Sequence, residues 1–171
     1  MERSGHYMKI IALRGRSDTG KTSTVKMFMK DLIDNGAKLK YCYYTNPIFQ
    51  DIITYGSERW RTSHGNVRNI TAIIGYKGKT IVVTSVGDST IQIKGSFDLA
   101  LKKSGFKQLQ IDVFVCACHP RMNLSGALGV NPDEIIYVEK QVCAESLCNK
   151  MLKCNSQDKQ HLIDELNKII K

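Results

Sequence analysis

Short apolar runs alternate with helically spaced apolar residues along the chain, and each pattern predicts an element of secondary structure. Runs rich in apolar and β-branched residues predict strands at Met8–Leu13, Leu39–Thr45, Ile70–Tyr76, Thr80–Val86, Asp112–Cys118 and Ile135–Val138. Apolar residues at helical spacing predict helices over Lys21–Asn35 and Ser156–Ile170, and a further one within Thr90–Lys103. The order of elements therefore alternates between strands and helices.

This alternation predicts an α/β domain with a mainly parallel sheet of about five strands, because a helix between two strands carries the chain back to pair in parallel. The short link Lys77–Lys79 joins two runs into a hairpin, which makes Ile70–Tyr76 a candidate antiparallel edge strand. We expect residues 1–171 to form a single domain. Residues 1–7 are expected to be a disordered terminus, and 156–171 a C-terminal helix with Ser156 as its N-cap.

Composition and charge narrow the class of protein. The chain has 171 residues, of which 42% are hydrophobic and 24% charged, as is typical of a globular domain. No apolar run approaches the ~20 residues that span a bilayer, and the N-terminus has no apolar signal core, so we expect a cytoplasmic protein without a membrane partner. The net charge of +9 favours an anionic partner, whether nucleotide, nucleic acid or acidic protein.

Six cysteines could form disulfides, but the lack of a signal core favours reduced thiols. Cys116, Cys118 and His119 are soft metal ligands that lie close together in the sequence. In a strand, however, the two thiols face one side and the imidazole the other. The pattern therefore favours buried thiols over a zinc site.

One segment carries recognisable chemistry. Gly15–Thr22 reads Gly-Arg-Ser-Asp-Thr-Gly-Lys-Thr and matches the pattern G-x-x-x-x-G-K-[ST] in full, between a predicted strand and the most regular helix. We call it the glycine-rich loop. Its glycines let backbone N–H groups approach phosphate oxygens, and the helix N-terminus adds partial positive charge. The candidate binding residues are Gly15, Arg16, Ser17, Asp18, Thr19, Gly20, Lys21, Thr22 and Ser23.

These residues resemble the P-loop NTPases, strongly over residues 8–36 and in architecture beyond them. The resemblance implies a three-layer P-loop fold that binds ATP or GTP with Mg²⁺. It also implies that Lys21 contacts the β- and γ-phosphates and that the Thr22 hydroxyl ligates the metal. Two later strand ends, TSVGDS at 84–89 and IIYVEK at 135–140, are loosely similar to small P-loop proteins of bacteria and their phages.

The chain departs from the family at the acidic residue that should follow an apolar strand near the metal. Thr84 and Ser85 stand where this acid is expected, and the first acid is Asp88. Asp88 is therefore a candidate metal ligand and catalytic residue, acting through water, or alternatively a residue that caps the next helix. The base-recognition motif of GTPases is also missing after the strand that ends at Cys118, which favours ATP over GTP.

Arginine side chains often neutralise a phosphoryl group during transfer. Arg121 follows a predicted strand at the edge where a phosphate-facing loop is expected, and it is a candidate catalytic residue. Arg59, Arg61 and Arg68 lie in a long polar segment with Trp60, which could stack on a base. The alternative for each arginine is a solvated surface charge.

Three functions fit these observations. The first is Mg²⁺-dependent binding and hydrolysis of a nucleoside triphosphate, ATP before GTP, by a small NTPase or switch. The second is a small kinase that phosphorylates a nucleotide, a nucleoside or another small molecule. The third is a non-hydrolysing module that binds nucleotide or nucleic acid, which the missing acid at Thr84 and Ser85 supports.

Overall fold

The computed structural model describes residues 8–16, 20–44, 69–141 and 148–170. Its β-strands are Lys9–Arg14 (β1), Lys38–Tyr44 (β2), Ile70–Tyr76 (β3), Lys79–Thr84 (β4), Val113–Cys118 (β5) and Ile135–Glu139 (β6). Its α-helices are Lys21–Asp34 (α1), Thr90–Ser104 (α2), Leu124–Leu128 (α3) and Cys148–Ile169 (α4). Within these residues, no helix has the length and apolar character needed to cross a membrane.

The strands form one six-stranded sheet with the order β2-β3-β4-β5-β1-β6. β4, β5, β1 and β6 pair in parallel, whereas β3 is antiparallel to both β2 and β4. The prediction of an α/β domain with a mainly parallel sheet is confirmed, with six strands rather than about five. The prediction that Ile70–Tyr76 lies at an edge is wrong, because β2 pairs along its outer side. A hairpin pattern identifies the partner of β3 on one side only.

Helices cover both faces of the sheet and make three layers. α1 and α4 pack on one face, and α2 and α3 on the other. The alternation of side chains along the strands supplies both cores. In β5, Val113 and Val115 face α1 and α4, while Phe114 and Cys116 face α2. Every residue of β5 is buried for this reason.

The last helix is longer than its apolar stripe predicts. α4 begins at Cys148, so Ser156 lies inside the helix and the prediction that it caps the N-terminus is wrong. Leu162 and Leu166 belong to the buried stripe, and the positions that continue it backwards are Asp158 and Asn155. Both are buried although they are polar. Hydrophobic periodicity therefore stops short of the true start of the helix.

The thiols on β5 are buried, as the strand pattern predicts. Cys116 and Cys118 are buried with free thiols, and Cys42 is a half-buried cysteine outside any disulfide. Cys154, in α4, is disulfide-bonded, so the expectation of reduced thiols is wrong for this residue. That expectation came from an argument about the cellular compartment, which says nothing about the geometry around a particular sulfur atom.

Candidate functional site

The carboxyl ends of four strands meet at one edge of the sheet, because β4, β5, β1 and β6 are parallel. Arg14, the last residue of β1, is in register with Cys118 on one side and Glu139 on the other. The glycine-rich loop therefore leaves the sheet between the segments that follow β5 and β6. In open α/β sheets, ligands bind in the crevice at this edge.

The glycine-rich loop connects β1 directly to α1. The Gly15 N–H donates a hydrogen bond of 3.0 Å to the Cys118 carbonyl, which ties the start of the loop to β5. Gly20 has a φ of +90°, a left-handed conformation that glycine adopts without the steric cost of a Cβ. Lys21 begins the helix at the next residue. The predicted binding residues Ser17, Asp18 and Thr19 lie outside the described residues.

The N-terminus of α1 is suited to an anion. Gly20 is the N-cap, and within the described residues no side chain caps this end of the helix. The first turn, which is fully described, holds no acidic residue. The N–H groups of a first turn have no acceptor within their own helix, and the helix dipole adds partial positive charge. Together these features favour a bound phosphate group.

Lys21 places its charge across the loop. Its Nζ donates to the carbonyl oxygens of Gly15 at 2.5 Å and Arg16 at 2.8 Å. The residue is only 9% exposed. The ammonium group is therefore held over the first residues of the loop, next to the N-terminus of α1. Of the predicted binding residues, the structure brings Gly15, Arg16 and Lys21 into direct contact.

A cluster of uncharged oxygens lies beside Thr22. Thr22 Oγ1 is 3.5 Å from Asn69 Oδ1, and Ser85 Oγ donates to the same oxygen at 3.2 Å. Ser85 Oγ also accepts a hydrogen bond of 2.8 Å from the Ile70 N–H. Asn69 thus links the start of α1 to the end of β4. Asn69 directly precedes β3 and Ser85 directly follows β4, so the hairpin brings the two residues together. The predicted hairpin is therefore the sequence signal that could have identified Asn69.

Thr84 and Ser85, which stand where the sequence comparison expects an acidic residue, point in different directions. Thr84 Oγ1 is 2.9 Å from Thr71 Oγ1 within the sheet. Ser85, the next residue, reaches Asn69 and so lies on the side of Thr22. Ser85, rather than Thr84, therefore occupies the place from which a carboxylate could approach the Thr22 hydroxyl.

Asp88 and Arg121 lie in the segments after β4 and β5, at the same edge of the sheet, and both are exposed. The capping alternative for Asp88 is wrong: Ser89 is the N-cap of α2, and its Oγ accepts from the Gln92 N–H at 3.1 Å. Arg121 occupies the turn between β5 and α3. Arg59, Trp60, Arg61 and Arg68 lie outside the described residues.

Charged groups surround the buried thiol at the end of β5. Arg14 Nε donates to Glu139 Oε1 at 2.7 Å, and its guanidinium carbon lies 4.1 Å from the centre of the Tyr137 ring. The hydrogen bond with Glu139 raises the pKa of Arg14. Burial raises the pKa of Cys118 to about 11, although the positive charges of Arg14 and Lys21 lower it. The Cys118 thiol therefore stays protonated at neutral pH.

We expect the free energy of unfolding to fall as the pH rises from about 9 to about 11. The ordinary pKa of the thiol is 9.0, and in the folded chain that of Cys118 is about 11, so the folded state binds more protons in this interval. This contribution is complete below pH 9. Urea unfolding at pH 8 and pH 10.5 should show a loss about 1–2 kcal/mol larger in the wild type than in Cys118→Ala. Equal losses would contradict the prediction.

The residues fit an anionic ligand better than they fit a metal ion alone. Lys21 and the N-terminus of α1, which has no cap among the described side chains, are complementary to phosphate, and the oxygens of Thr22, Asn69 and Ser85 are hard but uncharged ligands. In the part of the chain that the structure describes, no group of three His, Cys, Asp or Glu side chains is placed to hold a metal. Comparisons of the chain with protein-family models, with curated proteins and with solved structures find no match.

Proposed function

We propose that the chain binds a nucleoside triphosphate with Mg²⁺ at the glycine-rich loop and hydrolyses it, with ATP favoured over GTP. On this proposal, the three-layer α/β domain has the P-loop NTPase fold. The observation that carries the proposal is Lys21, whose ammonium group lies over the carbonyls of Gly15 and Arg16 beside the N-terminus of α1, which no described side chain caps. A cation and a helix N-terminus, whose first N–H groups have no acceptor within their own helix, are two features that favour phosphate recognition.

Binding would exchange one set of contacts of Lys21 for another. The Nζ group donates to two neutral carbonyl oxygens, those of Gly15 and Arg16. Phosphate oxygens are charged acceptors, and hydrogen bonds between two charged groups are roughly twice as strong as neutral ones. Lys21 would therefore turn from the loop toward the β- and γ-phosphates, while the N–H groups of α1 hold the anion in place.

Thr22, Asn69 and Ser85 would hold the magnesium ion, directly or through its water molecules. The metal, when bound, neutralises charge on the phosphate oxygens. Mg²⁺ prefers oxygen ligands and usually keeps several waters, which a hydroxyl or an amide can orient. Because none of these three side chains carries a charge, we expect weak metal binding and slow hydrolysis. Asp88 remains the candidate for orienting a water molecule, and Arg121 for meeting charge in the transition state.

Restoring a carboxylate at the end of β4 should strengthen the metal site. We expect Ser85→Asp to increase Mg²⁺-dependent phosphate release from ATP by about tenfold, equivalent to about 1.4 kcal/mol of barrier. The new carboxylate would lie on the side of Thr22 and supply the charge that the oxygen cluster lacks. Phosphate release is measured over a magnesium titration, with the melting temperature recorded to establish folding.

Ser85→Asn is the matched control, because it has the shape of aspartate without the charge. It should leave the dependence on magnesium as in the wild type. If a folded Ser85→Asp protein releases phosphate no faster than Ser85→Asn, Ser85 does not adjoin the metal. If neither variant folds, Asn69→Asp is compared with the wild type instead, because Asn69 Oδ1 contacts both Thr22 and Ser85.

The proposed function is tested by thermal shift and turnover with ATP, GTP and deoxynucleoside triphosphates, each with Mg²⁺ and with chelator. A ligand that binds only the folded state stabilises it by RT ln(1 + [L]/Kd), so even a binder without turnover raises the melting temperature. The absence of a shift with every triphosphate would overturn the proposal. ADP formation that depends on an added nucleoside or monophosphate would identify a kinase instead.

A further inference from the structure

The side chain of Asn155, on α4, lies against the glycine-rich loop. The residue is 3% exposed. Its Oδ1 and Nδ2 atoms lie 2.6 and 3.1 Å from the position that a Cβ on Gly20 would take. The carboxamide therefore fills the space beside Gly20 that a side chain would otherwise need. The contact arises because α1 and α4 pack on the same face of the sheet.

The carboxamide has unused capacity for hydrogen bonding. Asn155 Oδ1 is buried and has no hydrogen-bond partner among the described residues. A buried polar atom without a partner costs free energy, so its presence calls for a reason. Its neighbour Gly20 is the N-cap of α1, where the first-turn N–H groups point toward the proposed phosphate. A side-chain oxygen without a partner among the described residues and a helix N-terminus thus meet at one place.

A buried ion pair holds this part of α4 in position. Asp158, about one turn after Asn155, pairs with Lys140 at 2.8 Å, and both side chains are fully buried. The Lys140 N–H donates to the Arg14 carbonyl at 2.8 Å. The end of β1, from which the glycine-rich loop starts, is therefore tied to α4 through Lys140 and Asp158. The ion pair therefore joins the start of the glycine-rich loop to the turn of α4 that carries Asn155.

We propose that Asn155 is a positioning residue of the phosphate site, and that its lack of charge is required. It packs on Gly20, supports the left-handed conformation from which α1 starts, and presents a neutral dipole beside the bound anion. A negative charge at this position would itself satisfy the N-terminus of α1 and would repel the phosphate groups. The inference rests on the proposed function, since it assigns a further residue to the same site.

Asn155→Asp tests the requirement for a neutral group, because aspartate has almost the same shape. We expect the affinity for a fluorescent ATP analogue, measured at 0.1 M salt with Mg²⁺, to fall by at least tenfold. The KM for ATP should rise by a similar factor. The melting temperature without nucleotide is recorded for each variant to establish that it is folded.

Asn167→Asp is the matched control on the same helix, because Asn167 Oδ1 is also buried without a partner among the described residues. Asn167 lies twelve positions further along α4, about 18 Å from Asn155, and the Debye length at 0.1 M salt is about 10 Å. The same change of charge should therefore alter the affinity less than twofold. Asn155→Ala removes the packing against Gly20 without adding charge, and it should raise the KM about three- to tenfold.

The outcomes separate this inference from the proposed function. If the wild type binds no nucleotide, the proposed function fails and the inference fails with it. If the wild type binds nucleotide but Asn155→Asp and Asn167→Asp bind equally well, only the inference is overturned. Should Asn155→Asp not fold, Asn155→Ala decides the matter, and a wild-type KM in that variant contradicts a positioning role.

Discussion

Lys21→Ala abolishes the rise in melting temperature that Mg·ATP produces, and it lowers phosphate release by a factor of about 10²–10³. The alanine variant keeps the glycines and the start of α1 but loses the group that Gly15 and Arg16 hold over the loop. Without this cation, the N–H groups of α1 face the triphosphate with no ammonium group beside them. The unliganded variant should melt within a few degrees of the wild type, because alanine is the best helix former.

Lys30→Ala is the matched control for this result. Lys30 is on the same helix, about 45% exposed, and forms an i,i+4 ion pair of 2.5 Å with Asp34. Such an exposed pair contributes about 0.5 kcal/mol or less, so both stability and nucleotide binding should be close to those of the wild type. If Lys21→Ala binds ATP as tightly as Lys30→Ala does, the nucleotide does not bind at the glycine-rich loop.

Asp158→Ala should reduce the free energy of unfolding by about 3–5 kcal/mol. It leaves the fully buried ammonium group of Lys140 without its partner at 2.8 Å. It also removes the acceptor of the Gln141 N–H, which donates to Asp158 Oδ2 at 3.1 Å. Urea unfolding at neutral pH measures the loss. We expect it to be the largest among single substitutions outside the apolar cores.

A double variant shows whether the stability loss in Asp158→Ala comes from the unpaired charge of Lys140 or from the loss of the Asp158 side chain itself. Replacing a whole buried ion pair by apolar residues is often neutral, so Lys140→Met combined with Asp158→Leu should recover most of the stability that Asp158→Ala loses. Asp34→Ala, which breaks only the exposed pair with Lys30, should cost about 0.5 kcal/mol or less. Equal losses in Asp158→Ala and Asp34→Ala would show that the buried pair is not formed.

Individual strands and helices could be predicted from the sequence, because the spacing of apolar residues within each segment determines them. Apolar runs of strand length and one amphipathic helix identify β1, β4, β5 and α1. The placement of β2 could not be predicted in this way. Its pairing with β3 depends on residues that a strand pattern does not connect, and the intervening segment 45–68 carries no pattern that specifies a register. The error about the edge strand follows from that gap.

The site divides along the same line. Gly15, Gly20, Lys21 and Thr22 form a contiguous motif, so their spacing alone indicates phosphate chemistry. The pairing of β3 with β4 places Asn69 at the site. The packing of α1 against α4, two helices far apart in the chain, places Asn155 there. Both are single polar residues without a surrounding motif. In α4, Asn155 continues the spacing of the buried apolar residues although it is polar. Such a polar residue on the apolar face of a helix is the sequence signal that could have identified it.

The position of β2 at one side of the sheet has a consequence for how molecules behave in concentrated solution. Its outer edge faces no other described strand. Unpaired backbone groups on such an edge attract strands from other molecules. Exposed Lys38 and Lys40, together with a shift of register between Leu39 and Tyr41, oppose this pairing by charge and by shape. Neutralising both amines, for example by acetylation, should promote self-association while leaving the crevice at the carboxyl edge unchanged.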